Sequence, residues 1–365
     1  MKSLSRLLAI TKKEIRQLRR DRLTFGMIVG IPVLQMLLFG YAINTDVRNL
    51  RTAIADQSNT HLSRQFVAEL RETQVVDIIE FVDTPAVLDE RLRLGEISIG
   101  VVIPHDFERR VIDPERPAVH LLVDGSDPTI SSVAMQLRNM PIAFDTGKNV
   151  RRAHNIEVRP SYNPERRTPV NIIPGLMGVI LTLTMMLFTA VAIVRERERG
   201  NLELLINTPV SSAELMIGKV IPYVVIGMIQ LALILIVGDV LFEVPMRGSV
   251  LDLYLASGAF IAANLALGLV ISTVAKTQFQ AMQMTFFVLL PSILLSGFVF
   301  PFDGMPRFAQ LLGEILPVTH YIRLTRGIML REAGLIELYP ELIALGLFTL
   351  VAMTGAALRF TKRLD

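Results

Sequence analysis

Cysteine is missing altogether from the 365 residues. Its absence removes disulfide scaffolds, thiolate nucleophiles and cysteine metal sites at once. Histidine is scarce, with five scattered residues and no His-x-x-x-His spacing, so the chain carries no zinc signature. Excess charge of one sign is lacking too: the formal net charge is +3, and basic residues gather near the ends of apolar runs. That distribution argues against a nucleic-acid partner. No Gly-x-x-x-x-Gly-Lys-Ser/Thr loop occurs, because Gly147-Lys148 and Gly218-Lys219 lack both the upstream glycine and the following hydroxyl. If this chain works with ATP, another chain must bind the nucleotide.

Apolar residues are what the chain has in abundance. They make up 51% of it, and the mean hydropathy is +0.47. Several runs reach the roughly 20 residues needed to cross a bilayer. An integral membrane protein follows, with spans expected at about 23–43, 172–194, 218–238, 253–275, 279–300 and 339–358. Lys276 separates the fourth and fifth, since a lysine at mid-bilayer costs about 3 kcal/mol. Pro291 falls inside the fifth, and Pro301, Gly304 and Pro306 break it. Two shorter pieces follow, Phe308–Leu316 and Thr319–Leu330, and neither suits a full crossing. A re-entrant hairpin or a pair of interface helices is the expectation there.

The rest of the chain divides around these runs. Residues 1–22 form a basic amphipathic helix, with Leu4, Leu7, Leu8, Ile15 and Leu18 at near-helical spacing. The first run, 23–44, ends without a small-x-small cleavage site and reads as an uncleaved span rather than a signal peptide. Residues 45–168 read as a water-soluble insertion. Strand patterns at Arg51–Ala55, Val75–Val82, Ile97–Ile103 and Val119–Val123 alternate with helical ones at Leu62–Arg71, Ala86–Leu94 and Phe107–Ile112, which predicts an α/β domain. A longer helix is expected from Pro128 to Arg152, kinked or broken at Pro141. Asp124-Gly125-Ser126-Asp127 lacks the further spaced carboxylates of a calcium loop and reads as a turn capping that helix. Residues 169–365 hold spans two to six, a polar loop at 195–217 and the broken region at 296–335.

Six spans put both termini on one side. With the N-terminus inside, the inner segments collect 16 basic residues and the short outer ones five, so the positive-inside rule favours cytoplasmic termini. Four arginines in the broken region run against the rule locally: Arg307, Arg323, Arg326 and Arg331. Intramembrane polar residues are Gln35, Gln230, Asn264 and Gln283, expected to bond neighbouring helices. Small residues at four-residue spacing, Gly26 and Gly30 in the first span and Gly258, Ala262 and Ala266 in the fourth, allow close helix packing. Gly26 and Gly30 are also a candidate dimer seam. Ser211-Ser212-Ala213-Glu214 has the form of a capping box that starts the third span's helix.

The loop between the second and third spans carries the most information. Glu196, Arg197, Glu198 and Arg199 alternate in charge, Gly200 follows, and Leu202, Leu205 and Ile206 then make an apolar stripe around Glu203. Charge to set register and apolar side chains to bury suit a protein partner. On the residues alone a membrane-anchored sensor, with 46–168 as its ligand domain, stays open. Six spans with polar interior residues are more than an anchor needs.

Arg195-Glu196-Arg197-Glu198-Arg199-Gly200, then Glu203, Thr208-Pro209, Glu214, Gly218-Lys219 and Pro222-Tyr223, resembles the signature of type-2 ABC transporter permeases. A second stretch, Leu295-Ser296-Gly297-Phe298-Val299-Phe300-Pro301, with Met305-Pro306 and the run Pro317 to His320, resembles the family's other characteristic region. The layout is similar throughout, in particular to the bacterial multidrug-exporter branch with a large extracytoplasmic domain. Asn201 departs from the family's usual threonine. The resemblance implies an α-helical polytopic fold of six transmembrane helices plus a re-entrant outer hairpin, with an inserted extracytoplasmic α/β domain. It implies a non-catalytic permease subunit in the inner membrane that exports hydrophobic or amphipathic compounds, drugs or lipids. This chain would bind no cofactor, ATP and Mg being held by a separate cytoplasmic ABC ATPase. A second permease, identical or related, would complete the pathway, and a periplasmic adaptor and outer-membrane channel would meet the outer domain. By the same resemblance residues 196–210 dock into the ATPase, and Ser296, Gly297, Phe298, Phe300, Pro301 and Pro306 belong to the outer gate or re-entrant segment.

Overall fold

A computed structural model describes residues 49–113, 115–138, 140, 142–145, 150–153, 156–165, 167–199 and 212–359. The expected N-terminal amphipathic helix and first span lie outside the described residues, as do Gly26, Gly30 and Gln35.

The insertion is an α/β domain. Its sheet holds β1 (Leu50–Asp56), β2 (Val76–Phe81), β3 (Ile99–Ile103), β4 (Val119–Asp124) and β7 (Ile156–Ser161), in the order β2-β1-β3-β4-β7. Pairing is parallel except between β3 and β4. The central strand β3 is buried at every position, as a strand covered on both faces must be. One face is covered by α1 (His61–Glu72), α3 (Phe107–Ile112) and α4 (Pro128–Leu137), through Phe66, Leu70, Phe107, Val111, Val133 and Leu137. The other is covered by α2 (Pro85–Leu94), whose Leu88 and Leu92 pack on Ala53, Ala55 and Val102. A capping box starts α1: Ser63 N–H donates to Thr60 Oγ1 at 3.3 Å, and Thr60 N–H donates to Ser63 Oγ at 3.0 Å.

The long helix expected from Pro128 to Arg152 is not present. It stops at Leu137, and β5 (Ile142–Asp145) and β6 (Val150–Ala153) form an antiparallel hairpin beyond it. The β-branched and aromatic residues Ile142, Phe144 and Val150 favour that outcome over a helix carried through Pro141. Strand β7 follows, adding to β4 as the sheet's last member.

Among the described residues five helices are long and apolar enough to cross a membrane: α5 (Thr168–Glu198), α6 (Ser212–Phe242), α7 (Val250–Val274), α8 (Gln278–Leu295) and α11 (Tyr339–Arg359), with the apolar stretch of α6 running from Pro222. Helix α7 is the hub, packing against α5, α6, α8 and α11. Of its apolar stretch 67% is buried inside the protein, against 17% for α6 and for α11, so those two present their faces to lipid or to a partner. Close approach of α7 to α5 depends on Gly268: a Cβ there would lie 2.8 Å from the Met186 carbonyl oxygen.

Hydrogen bonds between helix ends fix the up-and-down order. Arg167, just before α5, donates to the Phe242 carbonyl at the end of α6 at 2.7 Å. At the opposite end of α5, Glu198 accepts from the backbone N–H of Gln278 at the start of α8. Asp252 in the first turn of α7 accepts from Leu335 N–H at 3.3 Å, placing the segment before α11 on the sheet-domain side.

Candidate functional site: the two ends of the bundle

At the end away from the sheet domain, the root of the polar loop is anchored. Arg197 Nη1 donates to the Ala275 carbonyl at 3.1 Å. Glu198 takes both the backbone and the side-chain amide of Gln278, from the short turn containing Lys276. Arg199 closes α5, its N–H donating to the Arg195 carbonyl at 3.1 Å. Glu196 is also bonded. The α5 exit and the α7–α8 turn are thereby one polar unit. Gly200, Leu202, Glu203, Leu205 and Ile206 lie outside the described residues, as does Ser211 of the expected capping box.

At the sheet-domain end, α8 stops at Leu295 rather than running to Phe300. Gly297 accounts for the difference: its φ of +80° is left-handed, a conformation only glycine adopts at no steric cost. Ser296 stabilises the stop, its Oγ donating to the Ile293 carbonyl and accepting from Phe298 N–H. Phe298 then lies against Gly175 of α5, where a Cβ would meet the ring at 2.2 Å. Phe300 packs on the cluster of Leu295 and Met305. Pro301 opens a single 3-10 turn (Phe302–Gly304), and Pro306 precedes α9 (Arg307–Ile315). Gln310 gathers the turn by donating to the carbonyls of Phe302, Asp303 and Met305.

Helix α10 (Pro317–Arg331) completes the hairpin, and nearly all of it is buried. Its Tyr321 stacks on Phe260 of α7, ring centroids 4.0 Å apart, and bonds Ser257 Oγ at 2.7 Å. Thr325 Oγ1 donates to the Pro174 carbonyl of α5. Two arginines point from α10 into the sheet domain. Arg326 meets Asp127 at 3.0 Å and Arg331 meets Asp124 at 3.6 Å, with all four side chains no more than 11% exposed. Asp303 accepts from Ser98 Oγ at 2.9 Å and pairs with Arg51, while Arg93 grips both carboxylate oxygens of Glu337. A cavity of about 140 Å³ lies within this seam, lined by Ser98, Asp124, Asp127, Gly297, Asp303 and Arg326.

The Asp124–Asp127 turn does cap, since Asp124 accepts from Ser126 N–H and Asp127 from Ile130 N–H. Sequence reasoning missed its second role as the acidic socket for α10. The signal was available: arginines on the wrong side of the charge rule need an acidic partner. Among the described residues no group of His, Asp and Glu is arranged to hold a metal ion. Of the expected intramembrane polar contacts, Gln230 bonds Thr184 of α5 at 2.8 Å, whereas Asn264 bonds its own helix at Phe260.

The architecture is a sheet domain followed by a bundle whose sheet-domain end is a broken hairpin. The family model described as "ABC-2 family transporter protein" matches residues 22–358. The chain belongs to the ABC-2 transporter family. It is 31% identical over 334 residues to the probable multidrug ABC transporter permease YbhS of Escherichia coli, covering 89% of this chain and 88% of that one. To the probable multidrug ABC transporter permease YbhR of the same organism it is 27% identical over 357 residues, 96% of each. The linearmycin resistance permease protein LnrN of Bacillus subtilis is 22% identical over 86% of this chain and 88% of its own length. As an ABC-2 family member with these apolar helices, the chain is a multi-pass membrane protein.

Proposed function

We propose that this chain is the permease subunit of an ATP-driven exporter in the inner membrane, moving hydrophobic or amphipathic compounds. A separate cytoplasmic ATPase binds ATP and Mg, and a second permease, identical or related, completes the pathway. The observation that carries this reading is that one unbroken helix, α5, has the charged loop at one end and Gly175, packed against Phe298, at the other. In this reading residues 196–210 face the cytoplasm and dock on the ATPase. Movement there reaches the α7–α8 turn through Arg197 and Glu198. The α9–α10 hairpin enters the outer face of the membrane as the gate. The multidrug names of YbhS and YbhR support the class of cargo.

Reversal of the loop's charge tests it. In the purified complex with its ATPase, Glu203→Lys should reduce cargo moved per ATP by about tenfold, equivalent to ~1.4 kcal/mol of coupling, with membrane insertion unchanged. Efflux and ATPase stimulation both equal to the parent protein would overturn the proposal.

A further inference from the structure

His320 sits where three helices meet. It projects from α10, and both of its ring nitrogens face oxygen acceptors. Nδ1 meets the Glu341 carboxylate in the first turn of α11, and Nε2 lies 2.8 Å from the Glu314 carbonyl of α9. The charged groups around the ring are Glu314 from α9, Arg323 from α10 and Glu341 from α11. Arg323 donates to both Glu314 carboxylate oxygens and, at 3.3 Å, to Glu341 Oε1. Its guanidinium also covers the Phe302 ring at 4.6 Å.

A neutral imidazole has one donor and one acceptor, so it cannot donate to both oxygens. The contact could otherwise be kept only by placing a proton on Glu341 Oε2. The guanidinium on the other oxygen of that carboxylate favours the ionised form and opposes this. With the imidazolium present, two cations face two anions and every ring N–H has an acceptor. Without its proton, a ring lone pair faces an oxygen and the cluster is left one negative charge in excess.

We infer that His320 is a positioning residue, a doubly protonated clasp that holds the α9–α10 hairpin against α11 and releases it when the proton leaves. Either the carbonyl of Glu314, in the last turn of α9, loses its donor and α9 is freed from α10, or Glu341 loses its donor and α10 is held to it by Arg323 alone, so in both cases the separation of α9 from α11 is less constrained. Phe302 and the turn behind Gly297 move with it through Arg323.

The test uses the full chain in lipid nanodiscs with the imidazole nitrogens labelled. The chain has five histidines, and His320→Gln assigns the resonance. At about pH 7.5, a unit above the ordinary imidazole value of about 6.5, both His320 nitrogens should carry protons. One bare nitrogen at that pH overturns the inference. Because the chain has no cysteine, Leu311→Cys on α9 and Leu347→Cys on α11, both at exposed positions, place a clean pair of spin labels. Their distance distribution should be single and narrow while His320 is protonated. It should broaden with the same midpoint as the resonance, and that midpoint should shift to lower pH in Glu341→Gln. A distribution that stays narrow after the proton is lost also overturns the inference. Neither readout needs nucleotide or cargo, so failure of the clasp and failure of the export reading are distinguishable.

Discussion

Gly268 lets α7 press on the backbone of α5, its missing side chain filled by the Met186 carbonyl and the Thr189 Cβ, each 2.8 Å from where a Cβ would stand. The backbone of α5 cannot withdraw without opening the core of Met185, Ile261 and Leu265. Gly268→Val should therefore destabilise the chain by about 1–3 kcal/mol, the range for overpacking a filled interior. Thermal unfolding in detergent of this variant beside the parent reads the loss, and an unchanged midpoint would show that the two helices can part freely. The repeat legible in the sequence was Gly258, Ala262 and Ala266, a different frame along the same helix. Small size at regular spacing marks a face that can be approached closely; it does not say where the partner helix crosses. That depends on the neighbours of α7, which lie far away in sequence. Tyr321 was hidden for a related reason, since nothing in its own segment points to the Phe260 ring on which it stacks.

Among the elements, α10 has the greatest energetic stake, because a short helix carries two arginines into burial. Breaking a buried pair by removing one partner leaves the other charge uncompensated, at a cost of about 3–5 kcal/mol. Arg326→Met should lose stability in that range by taking the guanidinium away from the buried Asp127 carboxylate, which keeps its contact with Ile130 N–H. Arg326→Met with Asp127→Leu should recover part of it, since an apolar pair avoids the desolvation cost while the bond to Ile130 N–H is lost. Denaturant unfolding of the two variants separates these outcomes, and equal losses would mean the pair itself contributes the stability. Both pieces of this hairpin were legible within two residues at each end, through the proline and glycine that bound them and the apolar face of Phe308, Leu311, Leu312 and Ile315. Helix α8 was read five residues too long because Val299 and Phe300 continue its apolar run. A run of hydropathy has no marker for a backbone that turns at Gly297. The β5–β6 hairpin was missed because helical continuity was carried past Pro141, while the strands' pairing is visible only once both are placed.

At the scale of the whole molecule, the sheet domain is tied to the bundle by charge. Arg93 holds the Glu337 carboxyl below the usual carboxylate range, chiefly through the hydrogen bonds it donates. A depressed carboxylate contributes stability above its unfolded value, about 4.3, and loses it as pH falls through the lower folded value. The strap should hold throughout neutral pH and slacken only in strong acid. Hydrogen exchange at residues 85–96, corrected for the intrinsic rate, should rise across that acid range in the parent protein. In Glu337→Gln it should be raised already at neutral pH, and identical exchange in the two at neutral pH would remove the strap from the account. The alternation of strands and helices made the domain legible, as did its place between apolar runs. Its attachment was not, because ion pairs such as Arg93–Glu337 join residues 244 positions apart.

Helix α5 has 31 residues, which at about 1.5 Å each makes a rod of roughly 46 Å. Its first turns are pinned to the sheet domain by Asn163 against Asn171 and to the hairpin by Thr325 against Pro174. Its last turn carries the charged tail. Pro174 removes one internal hydrogen bond close to that pinned end, and from Gly175 to Glu198 the remaining rod converts a few degrees of tilt at its foot into a displacement of a few ångströms at its head. In the proposed export reading, that stiffness links the two ends of the bundle without a relay of side chains through the bilayer.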